Sequence, residues 1–386
     1  GMSGLRKLAL RTPAQISLAS LHRFATSVPN AIPPEQGATL SHKFLSEQIG
    51  IRASKRFEQL ESCKLKFDGV QRLSDRYASL AEAQDTLTRS SDHLEQLNAA
   101  FGFAKWLNTK LTSLEQDVSY LQEQLKDGVR SEVTAQQEAQ TQQDINDLME
   151  SMHVHLITWR LLSSQHELLL SAAKPSTQQE KSSTPCQLPI SIGSVGTDLH
   201  QLVEETAEDC RAFCIEKNGE APEVCVSSTP DLPGRGTEGA AQAKAPFCLI
   251  VEGHVHFILM EILKNSMGAM VQHWGRDLLD APPIQIQLAG RGPEVGIRIS
   301  DLGGGVPLRH RRKAFDFFHT SATPMKATYG YSKAHGAAFT GMGVGLPMAR
   351  LYARLCGGDL SFNVLPGYGT DTFIILNRAA DTPFPV

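Results

Sequence analysis

The sequence predicts an α-helical domain followed by an α/β domain, and three observations carry that prediction. Of the twenty prolines, four fall before residue 35 and sixteen after residue 174, so residues 35–174 hold none, and only five of the 31 glycines lie there. Proline breaks a helix interior, so such a stretch is helical territory. Within it Leu107, Leu111, Leu114, Val118, Leu121 and Leu125 recur at alternating spacings of four and three, one stripe of a long helix. Beyond residue 186 the texture changes to strand-like runs, "EVGIRIS" and "DTFIILN", mixed with helical patterns around 198–216, 254–272 and 345–356.

In chain order, residues 1–34 come first. Arg6, Lys7, Arg11 and Arg23 stand among several Ser and Leu with no acidic residue until Glu35, which matches an amphipathic, mitochondrial presequence; a disordered basic tail is the plainer alternative. Residues 35–174 form the helical domain, read as a bundle rather than an extended coiled coil because Gly128 interrupts the leucine stripe. Residues 175–189, which hold most of the polar, proline-flanked "KPSTQQEKSSTP" (174–185), are a linker. The α/β domain spans 190–378, with "SSTPDLPGRGTEGAAQAKA" as a long surface loop, and 379–386 are a short tail.

Composition excludes several function classes. With 41% hydrophobic residues and no apolar run long enough to cross a bilayer, the chain reads as soluble, with no membrane insertion. A formal net charge of −4 supplies no basic field for nucleic acid. Seven cysteines without a CxxC pair suggest buried thiols in a reducing compartment rather than a disulfide framework or zinc site. The two "HVH" triplets, 153–155 and 254–256, place their histidines at alternate helix positions, which point apart and suit no metal.

Three local patterns carry chemistry. In "EILKNSMGAM" (261–270) an apolar helix carries Glu261, Lys264 and Asn265, the carboxylate and the amide stacked on one face. In "IRISDLGGGVP" a strand ends in Asp301 and three glycines, so a ligand could meet the backbone beside a hydrogen-bond acceptor. In "GMGVGLPMARLYARL" Gly341, Gly343 and Gly345 open a helix, where free N–H groups suit phosphate.

In this order, and followed by "GYGTD" (367–371), the patterns resemble the ATP-binding domain of the GHKL superfamily: "ExxKN" its N box, "DxGGG" and "GxGxG" its glycine boxes, Thr370 its last-strand threonine. "IRISDLGGGVPLR", Pro347 after the second box, "RLLSSQH" (160–166) and "ISIGS" look like the mitochondrial 2-oxoacid dehydrogenase kinases. That resemblance implies a four-helix bundle followed by a GHKL-type ATP-binding α/β sandwich. It also implies a kinase of the mitochondrial matrix that uses ATP and Mg²⁺ to phosphorylate serine on the E1 component of a 2-oxoacid dehydrogenase complex. E1 and the complex's lipoyl domains would be partners, and a homodimer is expected. Pyruvate dehydrogenase is favoured as the target; the branched-chain complex is the alternative.

Carried over residue by residue, Asn265 holds Mg²⁺ and Glu261 polarises the attacking serine hydroxyl. Asp301 accepts the adenine amine, with Thr370 near the same ring edge and Gly305 allowing close approach. Lys264, Gly303, Gly341, Gly343, Val344, Gly345 and Leu346 complete the nucleotide site, and residues 308–340 form a lid over it.

This sequence departs from the family pattern in three places. Phe257 stands where many of these kinases have a histidine one turn before the glutamate, with His256 out of register; Leu302 replaces an arginine; and no long C-terminal tail with an Asp-Trp pair follows. Two rival readings stay open: a protein histidine kinase using His166 beside Glu167, though Leu168 to Leu170 replace the usual continuation, and a catalytically silent, nucleotide-gated scaffold.

Overall fold

A computed structural model describes residues 11, 13–17, 20–21, 32–83, 93–128, 135–173, 198–229, 250–291, 293–319, 343–377 and 383. The chain divides into two compact units, essentially 20–190 and 191–383.

In the first unit, Pro33 and Pro34 open α1 (Pro34–Glu61), where a fixed φ fits the first turn and the missing N–H has no helical partner to lose. It is followed by α2 (Asp68–Glu82), α3 (His93–Gly128) and α4 (Ala135–Ala173). Neighbours pack in the cycle α1–α2–α3–α4–α1, the four-helix ring implied by the resemblance. All six stripe residues from Leu107 to Leu125 are buried, and burial of each leucine contributes about 1.5–3 kcal/mol. The described part of this helix runs to Gly128.

Polar cross-links pin the helices. Gly69 lets α2 touch α3, since an added Cβ would stand 2.9 Å from Leu121 Cα, and its N–H donates to Gln124 Oε1 at 2.7 Å. Arg76 donates to the buried Asp117 at 2.7 Å, and Arg160 pairs with Glu115. Most of the predicted presequence lies outside the described residues. Ala14, within it, accepts from Arg52 Nη2 at 2.8 Å and donates to Gln48 Oε1 at 2.9 Å, so this part is bonded to α1 where a free tail was the alternative.

The second unit contains α5 (Leu199–Asn218), β1 (Val224–Thr229), α6 (Glu252–Trp274), β2 (Ile284–Arg291), β3 (Glu294–Asp301), the single turn α7 (Leu308–Arg311), α8 (Gly345–Leu355), β4 (Asp359–Leu365) and β5 (Gly369–Asn377). Asp198 caps α5 by accepting from the His200 and Gln201 N–H groups, and Gly219 closes it at φ 86°. The sheet order is β1-β2-β3-β5-β4, with β1 and β2 parallel and the other pairs antiparallel. Helix α5 packs on β1, α6 on β3, and α8 on β4 and β5, with α6 touching both other helices, so the unit is an α/β sandwich.

"EVGIRIS" and "DTFIILN" lie in β3 and β5, as predicted. Three strands stood outside the predicted runs. Of these β2 alternates Ile284, Ile286 and Leu288 with Gln285 and Gln287, a pattern legible in the sequence. The expected loop beginning at Ser227 is shortened, because Ser227, Ser228 and Thr229 pair in β1. The linker 175–189, the rest of that loop, Gly341 and lid residues 320–340 lie outside the described residues.

Candidate nucleotide site

Helix α6 is apolar on the side that packs against the sheet, where Leu259, Ile262, Leu263, Met267 and Met270 are buried. Glu261, Lys264 and Asn265 fall on the turns between, so the periodicity that builds the core also turns these three away from it. Lys264 Nζ pairs with Glu261 Oε1, with both side chains mostly buried, and Asn265 is exposed. The helix-face ion pair therefore exists, and it leaves Glu261 Oε2 for a second neighbour. That neighbour is Gly345, the first residue of α8: an added Cβ would overlap Glu261 Oε2 and stand 2.9 Å from Cδ. A carboxylate, an ammonium and an amide thus gather beside a helix N-terminus.

Asp301 follows from strand register. Val295, Ile297 and Ile299 are buried at alternate positions of β3, and Asp301 continues their face into the helix layer, 6% exposed. Its Oδ2 accepts from Ser266 Oγ at 2.9 Å, and Oδ1 accepts from the Gly303 N–H at 3.0 Å. Burial raises the pKa of the carboxyl above its ordinary value, and these two bonds and the Thr370 N–H act against that rise. Thr370 pairs with Asp301 across β3 and β5. Next door, burial pushes the Cys210 thiol up to about 12, with the Lys264 ammonium opposing it, so this thiol is inert at neutral pH.

Packing gives the first glycine box a reason of its own. A Cβ on Gly303 would meet Ala269 at 2.6 Å, one on Gly304 would meet His273 Nδ1 at 2.8 Å, and one on Gly305 would meet Leu365 O at 2.8 Å. The space is filled by α6 and by the β4–β5 turn, and φ of 79° and 72° at Gly304 and Gly305 adds a backbone reason for glycine. Gly343, at φ 72°, is likewise backed by the carbonyl of His319, and its own carbonyl accepts from Phe318 N–H at 2.9 Å. Val344 is buried just before α8, and Leu346 is half-buried.

The departures from the family pattern also have places. Phe257 packs edge-on against Tyr352 with ring centroids 5.2 Å apart, and His256 Nδ1 lies 3.0 Å from Thr206 Oγ1. The carbonyl of Leu302 accepts from Trp274 Nε1 at 3.0 Å. His166, in the other unit, is fully buried, with Nδ1 3.1 Å from Ser41 Oγ and Nε2 3.2 Å from Ala100 O. Of the "HVH" histidines, His153 Nε2 lies 3.0 Å from Gln122, His155 stacks on Tyr77, and His254 lies against Tyr352. Ser266 was missed as a site residue. Its one signal is a hydroxyl directly after Asn265 in an apolar helix, and its partner is 35 residues away.

Comparison with known proteins agrees with this geometry. Residues 252–380 match the family described as histidine kinase-, DNA gyrase B- and HSP90-like ATPases, and residues 15–193 match the family described as mitochondrial branched-chain alpha-ketoacid dehydrogenase kinase. A mitochondrial [pyruvate dehydrogenase (acetyl-transferring)] kinase of Schizosaccharomyces pombe is 32% identical over 210 residues, 53% of this chain and 46% of that protein. Isozyme 4 of the same kinase from Homo sapiens is 30% identical over 239 residues, 61% of this chain and 52% of that protein. The Arabidopsis thaliana kinase is 24% identical over 361 residues, 92% of this chain and 89% of that protein. The chain therefore spans about half the length of the first two relatives and most of the third. With the helical and the ATPase families matched in the order of the two units, the chain is similar over most of its length to a mitochondrial 2-oxoacid dehydrogenase kinase.

Proposed function

We propose that this protein is an ATP-dependent protein serine kinase that phosphorylates, and so inactivates, the E1 component of a 2-oxoacid dehydrogenase complex, with pyruvate dehydrogenase as the favoured target. The observation that carries this reading is the meeting of Glu261, on the same helix as Lys264, Asn265 and the Ser266 that bonds the buried carboxylate of Asp301, with Gly345 at the start of α8. A serine hydroxyl is a weak nucleophile, and Glu261 would take its proton as the new O–P bond forms and the β–γ bridge breaks, releasing ADP. Lys264, paired with that carboxylate, holds it in place on the helix face. Asp301 would accept the adenine amine, and Gly343, Val344, Gly345 and Leu346 would present backbone to the phosphates.

Asn265 suits Mg²⁺, which takes oxygen donors and completes its shell with water and phosphate, because its exposed amide supplies one such oxygen without crowding. When bound, the ion neutralises charge on the transferring phosphoryl group. A matrix location is supported by the basic, acid-free residues before Glu35 and by the word mitochondrial in the relatives' names. Lipoyl-domain binding by the helical unit would raise the local enzyme concentration, and a homodimer is the assembly expected of the family.

A second target, the branched-chain 2-oxoacid dehydrogenase, is favoured by the description of the family matched by residues 15–193. Incubating the purified protein with labelled ATP and each purified complex tests both. We expect acid-stable phosphoserine on the pyruvate dehydrogenase E1; label on the branched-chain E1 alone would move the target while keeping the chemistry, and no transfer to either would favour a silent scaffold.

A further inference from the structure

We propose that Ser266 sets the purine preference of the nucleotide site by fixing Asp301 as a pure hydrogen-bond acceptor. The inference rests on the reading of Asp301 as the nucleobase residue. Ser266 is 4% exposed and Asp301 6%, so the 2.9 Å bond between them is shielded from water. With the Gly303 N–H on Oδ1 and the Thr370 N–H as a third donor, the protein pins the plane of the carboxylate, and its remaining lone-pair capacity is left for a ligand.

The chemistry of the two protonation states differs. An ionised carboxylate only accepts, which matches the exocyclic amine of adenine and opposes the 6-oxo group of hypoxanthine or guanine. A protonated carboxyl also donates and serves a 6-oxo purine as well as an amine. Burial already pushes Asp301 toward the protonated form, and the Ser266 hydroxyl is one of the groups holding it ionised. The charged group that opposes ionisation of Asp301 is Asp371, whose carboxylate is itself engaged by Ser300 and Arg298. Removing the hydroxyl leaves Oδ2 buried without that donor and shifts Asp301 toward the acid. Ser266 is thus a positioning residue that acts through Asp301.

The test is calorimetric titration of the full chain with ADP and with IDP, which differ at the 6-position and avoid turnover. Ser266→Ala is expected to weaken ADP about tenfold while leaving IDP nearly unchanged, because the lost interaction is a hydrogen bond to a charged group. Ser266→Thr, which keeps the hydroxyl, should restore the wild-type preference. In Ser266→Ala the preference should move further toward IDP as the pH is lowered and the carboxyl protonates. Equal weakening of both nucleotides, or no change in their ratio, overturns the proposal. If Ser266→Ala does not fold, Ser266→Cys must show the same narrowing in smaller measure, and an unchanged ratio there overturns it too. Wild-type protein that binds neither nucleotide would instead remove the nucleotide-site reading on which this rests.

Discussion

The carboxylate of Glu261, on α6, occupies the space that a side chain on Gly345 would fill at the first residue of α8. Helices α6 and α8 are thus fitted to each other through a missing methyl group.

Gly345→Ala is the direct consequence. The clash falls on the flexible end of Glu261, so the fold should survive with Tm lowered by only a few degrees. The carboxylate must move, and phosphoryl transfer should fall about tenfold or more. Transfer at the wild-type rate in a folded variant would mean that the position of Glu261 against α8 does not matter.

Substitutions on α6 should separate two roles. Glu261→Gln removes the proton acceptor, so the transfer rate should drop about a hundredfold with nucleotide affinity nearly unchanged. Asn265→Ala should abolish Mg²⁺-dependent transfer and erase the Mg²⁺ dependence of nucleotide binding. Full activity in Glu261→Gln would rule out the general-base role.

His166→Ala distinguishes serine from histidine chemistry. The side chain is buried and bonded to Ser41 and Ala100, so its loss should cost about 2 kcal/mol of stability, read as a lower urea midpoint. Kinase activity should persist in the folded variant, and its phosphorylated product should withstand mild acid. Acid-labile label that disappears with His166 would establish the rival mechanism.

Stability should fall as the solution becomes acidic. Burial holds His153 and His166 at about 4, His155 well below the ordinary value, and His254 at about 3. Folded-state values below the unfolded 6.5 mean that the neutral form is the one the fold accepts, so this stability is complete above about pH 6.5. It is lost as pH falls toward about 4, each histidine contributing up to about 1.4 kcal/mol per pH unit. Urea midpoints measured across that range should decline steadily; a flat series would show that these histidines are not buried and neutral.

Local order determined much of this protein. The absence of proline from 35–174, the stripe from Leu107 to Leu125 and the alternation in "EVGIRIS" are short-range signals, because helix and strand periods are set by neighbouring residues. Glu261, Lys264 and Asn265 were legible for the same reason, as polar positions on one turn of an apolar helix. What tertiary structure decided was who meets whom. The Ser266–Asp301 bond spans 35 positions, and nothing in either local pattern points to the other. The glycines show the limit most clearly: the sequence reads Gly303 and Gly305 as room for a ligand, but only the packed molecule shows that Ala269 and the Leu365 carbonyl stand where a Cβ would be. Close packing between distant segments depends on how whole elements dock, and that information is absent from any short window of the chain.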